Sequence, residues 1–201
     1  MILAFDTSSA ACTAALFDGA GECVARKDEM IGRGHSERLV PMLDELLDGR
    51  KADRILVGVG PGSFTGIRVG VAAAHGLAIG WDAELSGISS LALIAASTES
   101  PGEVAVAVSG GHGELFVQEF DGSRPASDLL NLAPNQAAAA TKAERVVGTG
   151  AAALVDARGW GEARDAWPSA AHALDLPEEL RTLAPRPIYA RAPDARPRQA
   201  A

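Results

Sequence analysis

Apolar positions along this chain come in short β-branched runs broken by glycine, proline and small polar residues, with stretches of helical spacing between them, the pattern of an α/β fold. Residues 2–5 are an apolar run leading into Asp6-Thr7-Ser8-Ser9, and residues 12–17 are a second. After the turn Asp18-Gly19-Ala20-Gly21, residues 22–28 form a third, so the chain opens as a meander. Beyond the glycine-broken segment MIGRGH, Ser36 stands where an N-cap belongs. The helix it predicts runs to about residue 48, with Leu39, Leu43, Leu46 and Leu47 on one face and Val40 and Met42 flanking; Gly49 ends it. That apolar arc is wide for a helix buried on one side, which points to a partner on the other.

Residues 55–81, ILVGVGPGSFTGIRVGVAAAHGLAIGW, predict a strand, a rigid turn at Gly60-Pro61-Gly62, and a helix capped by Ser63 or Thr65. Gly62, Gly66, Gly70 and Ala74 recur every fourth residue and make a stripe without bulk on which another backbone can lie close. A glycine-rich loop ahead of a helix can also hold phosphate. No lysine follows here as the P-loop requires, and the glycine spacing misses the dinucleotide pattern by one. Close packing of the helix is therefore the favoured reading.

Residues 85–88 predict another strand, and Ser89 or Ser90 caps a helix through residue 98; Pro101-Gly102 then breaks the chain. The break divides the chain into a lobe of residues 1–100 and a smaller one of residues 101–201. The second lobe opens as the first does, with a strand at 104–108, the loop Ser109-Gly110-Gly111-His112-Gly113 and a returning strand at 114–120, which suggests a duplicated design. Residues 135–143 predict a helix, residues 145–147 a strand, and Gly148-Thr149-Gly150 a turn into an alanine-rich helix. From Pro185 the chain reads as an extended tail that packs at Ile188 and Tyr189.

At 47% hydrophobic but only 4% aromatic, the core has to be built from Ala, Val, Leu and Ile. The formal net charge of −8 argues against a protein that grips a polyanion alone, so nucleic acid would be reached through a partner. Cys12 and Cys23 are too few for a disulfide framework and are expected as small buried thiols on adjacent strands. The start, MILAFDTSS, has neither the basic nor the long apolar part of a signal peptide, and no apolar run is long enough to span a membrane. A soluble cytoplasmic protein is expected.

The four histidines, His35, His75, His112 and His172, are scattered without ligand spacing, and neither a serine elbow nor a local Cys–His signature occurs. No metal site, required cofactor or catalytic residue is expected. Asp6 and Glu114 each sit at the first hairpin loop of a lobe; in two-lobed nucleotide folds such loops touch phosphate and metal. Asp6, Thr7, Ser109, Gly110 and Gly111 are therefore the candidates for nucleotide contact, and weak ATP or ADP binding is the most they would support.

The segments ILAFDTSSAACTAAL, GHSERLVPML, GPGSFTGIRVGVAAAHGLA, GELFVQEF, VVGTG and PIYARAPDA together resemble the TsaB (YeaZ) family, over roughly the first 120 residues and in islands thereafter. The resemblance implies a two-lobed α/β fold of the actin, sugar-kinase and Hsp70 type (ASKHA, RNase H-like), with mixed sheets flanked by helices. It implies a non-catalytic scaffold and activating subunit that binds TsaD, helps recruit TsaE, and reaches tRNA only through the complex that makes N6-threonylcarbamoyladenosine at tRNA position 37. TsaD carries a metal-binding histidine pair just after the segment that matches GISSLALIA; the residues here are Ser89, Ser90, Leu91, Ala92, Leu93 and Ile94, with no histidine.

The resemblance also implies that the partner packs on the helix after HSERLVP and the helix after GPGSFTG. This puts His35, Leu39, Met42, Leu43 and Leu46, with Gly66, Ile67, Gly70, Val71 and Ala74, at the interface, and a homodimer on the same surface when TsaD is absent. On that reading Leu43→Glu or Gly70→Leu should break the partner contact and spare the fold. The Ser109 to His112 loop departs from the family's Asp-Ala-Arg-like triplet and looks more like the phosphate loop of TsaD. The alternative is accordingly a nucleotide-dependent transferase or phosphotransferase using Asp6 and that loop; a metalloprotease lacks its ligands.

Overall fold

The computed structural model describes residues 1–98 and 102–188. The first half runs β1 (Ile2–Asp6), β2 (Ala11–Phe17), β3 (Cys23–Met30), α1 (His35–Leu47), β4 (Arg54–Gly58), α2 (Phe64–Trp81), β5 (Glu84–Ile88) and α3 (Ser90–Ala96). The second runs β6 (Glu103–Ser109), β7 (Leu115–Asp121), β8 (Arg124–Pro125), β9 (Leu130–Leu132), α4 (Pro134–Ala140), β10 (Arg145–Val147), α5 (Ala151–Arg158), β11 (Glu162–Arg164) and α6 (Glu178–Arg181). Among the described residues no helix is long and apolar enough to cross a membrane.

The strands make two mixed sheets of the same plan. In the first, ordered β3-β2-β1-β4-β5, the meander is antiparallel and β4 and β5 are added parallel to β1. In the second, ordered β11-β10-β6-β7-β8 with β9 also on β7, β6 and β7 are antiparallel and β10 and β11 are parallel to β6. The duplication that the two hairpins suggest is thus present in the topology.

Period-two alternation sends successive side chains of each strand to opposite faces. From β1, Leu3 and Phe5 meet α1 and α2, in a core with Leu39, Met42, Leu43, Leu46, Ile67 and Val71. Ala4, on the other face, joins Leu56, Ile88, the α3 residues Leu91 to Ala95, and Val104, Val106 and Phe120 of the second sheet. The far face of that sheet, Ala105, Ala107, Leu115 and Val117, lies under Ala137 of α4 and Ala151 and Leu154 of α5. One apolar core therefore runs between the sheets with α3 in it. This is the two-lobed α/β arrangement expected of an ASKHA-type fold.

The later chain does not stay with the second sheet. Ala170, Ala173 and Leu176 enter the core between the sheets, and Ala170 N–H donates to Thr13 Oγ1 of β2 at 2.8 Å. Leu183 and Gly87 exchange backbone hydrogen bonds, and Ile188 N–H reaches Val59 O at 2.9 Å. Ile188 packs on the α1–α2 core as expected; Tyr189 and the break at Pro101 lie outside the described residues.

Several local expectations are corrected. The N-cap of α1 is Gly34, at φ 92°, because left-handed backbone turns the chain into the helix there; Ser36 is exposed and its Oγ bonds Glu37. Ser63 does cap α2, accepting from Gly66 N–H at 3.2 Å. Cys23 is exposed, since it begins the outer edge strand, and only Cys12 is buried. Strands β8, β9 and β11 span two or three residues, too few for a periodic signal.

Leu91→Ala, at a fully buried site between the sheets, is expected to cost about 2–5 kcal/mol. Denaturation followed by circular dichroism and by tryptophan fluorescence should still coincide in one transition. Two separated transitions would mean that the sheets unfold independently.

Candidate functional site

In open α/β sheets ligands collect at the carboxyl ends of the parallel strands, here the ends of β1 and β4. That position is occupied by the chain itself. Asp6 closes β1 with its carboxylate fully buried; Oδ1 accepts from Ser8 N–H at 2.6 Å and Oδ2 from Ser90 Oγ at 2.5 Å. Ser90 Oγ in turn accepts from Gly60 N–H at 3.0 Å, and Ser90 N–H donates to Gly60 O at 3.2 Å. Burial raises the Asp6 pKa, against the hydrogen bonds from Ser90 and Ser8 and the field of His35, which lower it.

The head of α2 presses onto the same loop. Ser63 N–H donates to Ser8 O at 2.6 Å and Thr7 Oγ1 to Gly66 O at 2.7 Å. A Cβ at Gly66 would overlap Thr7 O, one at Gly62 would overlap Ser8 O, and one at Gly58 would overlap the Asp6 carboxylate. Gly70 faces Thr7 Oγ1, which a Cβ would meet at 2.5 Å. The glycine stripe therefore exists so that α2 can lie against the β1–β2 loop. Asp6 and Thr7 present no atom to solvent, and in this conformation neither can meet a phosphate.

The second candidate loop is open but engaged with its own neighbours. Ser109 N–H donates to Thr149 Oγ1 and Ser109 Oγ to Thr149 O, both at 3.1 Å, and Gly110 N–H reaches Glu114 O at 2.7 Å. Ser109 and Gly111 are exposed, Gly110 is half-buried, and the Glu114 carboxylate accepts from Asn131 Nδ2 at 2.8 Å. Asp6 is thus enclosed by Ser8 and Ser90, whereas Glu114 is engaged by Asn131. A cavity of about 300 Å³ lies elsewhere, lined by Ser97, Thr98, Arg145, Glu162, Arg164 and Asp165 among others, and its charges are of both signs. Among the described residues no three His, Cys, Asp or Glu side chains gather as metal ligands.

The comparisons with known proteins bear on this geometry. The family profile described as "TsaD: tRNA N6-adenosine threonylcarbamoyltransferase" matches residues 28–157, more than half of the chain. The tRNA threonylcarbamoyladenosine biosynthesis protein TsaB of Haemophilus influenzae is 40% identical over 99 residues, 47% of this chain and 41% of that protein. TsaB of Escherichia coli is 34% identical over 128 residues, 59% of this chain and 54% of that protein. The solved structure of YeaZ from Pseudomonas aeruginosa superposes with a TM-score of 0.78 at 28% identity, covering 94% of this chain and 98% of the other. The chain belongs to the TsaB (YeaZ) family. It spans about half the length of these two curated TsaB relatives.

For a TsaB chain, the placement of the ten expected interface residues is a correction. His35, Leu39, Met42, Leu43 and Leu46 of α1, and Gly66, Ile67, Gly70, Val71 and Ala74 of α2, are all buried within the chain. The two helices turn this side to the first sheet, because Ile67 and Val71 share it with the glycines and bulky apolar groups go inward. His35 Nε2 lies 3.3 Å from Ala11 O. Leu43→Glu would therefore unfold the chain instead of testing an interface.

What α1 shows outward is largely charged: Arg38 bridges Glu29 at 2.5 Å and Glu45 at 2.8 Å, and Lys27 also pairs with Glu45. Hydrogen bonds from Arg38 and then Lys27 hold the Glu45 carboxyl down at about 2. What α2 shows outward is a second row at spacing four, Arg68, Ala72, Gly76 and Gly80, all exposed, with open space above both glycines. Ile79 stands beside it, 85% exposed. This row has the same spacing as the buried one, so its residues were available to sequence reasoning; only the neighbours Ile67 and Val71 distinguish the two sides.

Asp6→Ala removes the acceptor for the Ser8 N–H and the Ser90 hydroxyl in a dry site, for an expected loss of roughly 2–4 kcal/mol in urea unfolding. The raised Asp6 pKa means that the folded state holds this proton more tightly than the unfolded one. Its contribution is fully present below the ordinary 3.8 and is lost as pH rises through the raised folded value. Asp6→Asn should remove that part of the stability–pH slope; an unchanged slope would show that Asp6 does not titrate there.

Proposed function

We propose that this chain is a non-catalytic scaffold and activating subunit in tRNA threonylcarbamoyladenosine biosynthesis, which binds and stabilises a TsaD partner through the outward face of α2 and helps recruit TsaE. tRNA is met only through the assembled complex, and in the absence of TsaD a second copy of the chain takes the same face. The observation that carries the reading is the bare row of Ala72, Gly76 and Gly80 beside the exposed Ile79, on a helix whose other side is already packed. A helix surface of small residues lets a second backbone approach closely, and an exposed isoleucine next to it supplies apolar area to bury. The filled loop at Asp6 and Thr7 supports the non-catalytic part. The names of the curated TsaB relatives and of the matching family profile support the pathway.

Two experiments test this. Ile79→Asp and Gly76→Leu should each abolish co-purification with TsaD while leaving the melting temperature unchanged, since neither position is packed. Gly70→Leu should instead lower stability, because its Cβ meets Thr7. Full co-purification of both outward variants would overturn the docking face. The isolated protein, freed of metal and then supplied with magnesium, should neither hydrolyse ATP nor form the modified nucleoside. Turnover by the isolated chain would favour the alternative, a nucleotide-dependent transferase or phosphotransferase.

A further inference from the structure

The last described residues, 183–188, cross from the second half of the chain onto the first sheet and finish against the flank of α2. Three attachments hold them. Leu183 pairs with Gly87 at the outer edge of β5, in both directions, at 2.7 and 3.0 Å. Ile188 N–H donates to Val59 O at 2.9 Å, just past the end of β4. Between these, His75 Nε2 lies 3.0 Å from Pro185 O. A carbonyl only accepts, so His75 must be the donor at Nε2. His75 is exposed on α2, one residue from Gly76.

We infer that residues 183–188 form a strap that holds the outward face of α2 in its docking position, and that His75 is the positioning residue that fastens it. The inference rests on the docking reading above. The apolar anchors, Leu183 and Ile188, pack on the same core as the inner side of α2, so the strap is seated from beneath as well as tied from above. His75 immediately precedes Gly76 in the chain, so the strap is fastened next to the bare row. The strap also comes directly from α6, whose Leu180 O accepts from Ser89 N–H at the head of α3. The docking face is thereby tied to the element that lies between the two sheets.

The test uses the full chain and purified TsaD, with amide hydrogen exchange at Gly87 and Leu183 as a second readout. His75→Ala should speed exchange at both amides and weaken TsaD binding by roughly fivefold, the equivalent of one ordinary hydrogen bond. His75→Gln, whose amide can donate from nearly the same place, should restore both. Gly87→Ala should act like His75→Ala without touching α2, because its Cβ would lie 2.7 Å from Val59 and 2.8 Å from Ala184 O and so displace the strap. Where Gly87→Ala lowers the melting temperature, a chain ended after Thr182 takes its place. Unchanged exchange in His75→Ala, or faster exchange with unchanged affinity in Gly87→Ala, would overturn the inference. If the wild-type chain does not bind TsaD, the docking reading falls, and the exchange result alone decides whether His75 fastens the strap.

Discussion

The carboxylate of Asp6 is cut off from water, and both of its oxygens are held by donors: the Ser8 amide of its own loop and the Ser90 hydroxyl at the head of α3. Taking a carboxylate out of water costs several kcal/mol, and the cost is offset only while such donors stay in place. Because Ser90 also receives the Gly60 amide, the end of β1, the turn before α2 and the start of α3 are locked to a single relative geometry. Everything outward follows from that lock. With α3 fixed, the core between the sheets has its central element; with the turn fixed, α2 lies flat on the first sheet and keeps one side bare. The same lock fills the space at the ends of β1 and β4 with the chain's own groups.

Much of this was legible in the residues. The strands of the first sheet, the Ser63 cap and the paired hairpins announce themselves through long apolar runs, small turn residues and repetition of order. Three things were not. The two rows of small residues on α2 have equal spacing, so the periodicity that reveals a smooth face does not say which smooth face is inside. The burial of Asp6 depends on Ser90, 84 residues away, and an acidic loop residue reads as exposed until that partner is known. The short strands β8, β9 and β11 exist because a neighbouring strand offers an edge, not because two or three residues prefer extension.

The duplicated sheet plan explains why the halves are hard to separate. Each sheet has one face covered by its own pair of helices and one face that only the other sheet, with α3, can cover. Neither half buries its inner face alone. The return of the chain through Ala170, Leu183 and Ile188 adds a further tie, from the second half to β2, to the edge strand β5 and to the segment just past β4.

The bare row on α2 has a thermodynamic meaning beyond its shape. Burying a long side chain at an interface freezes its rotamers, at up to about 2 kcal/mol for residues such as lysine, arginine or methionine, whereas glycine and alanine have no rotamers to lose. The helix backbone at Ala72, Gly76 and Gly80 is already ordered by its packed inner side. A partner settling there removes almost no side-chain freedom from this chain, so the ordering part of the cost of association is small at this row.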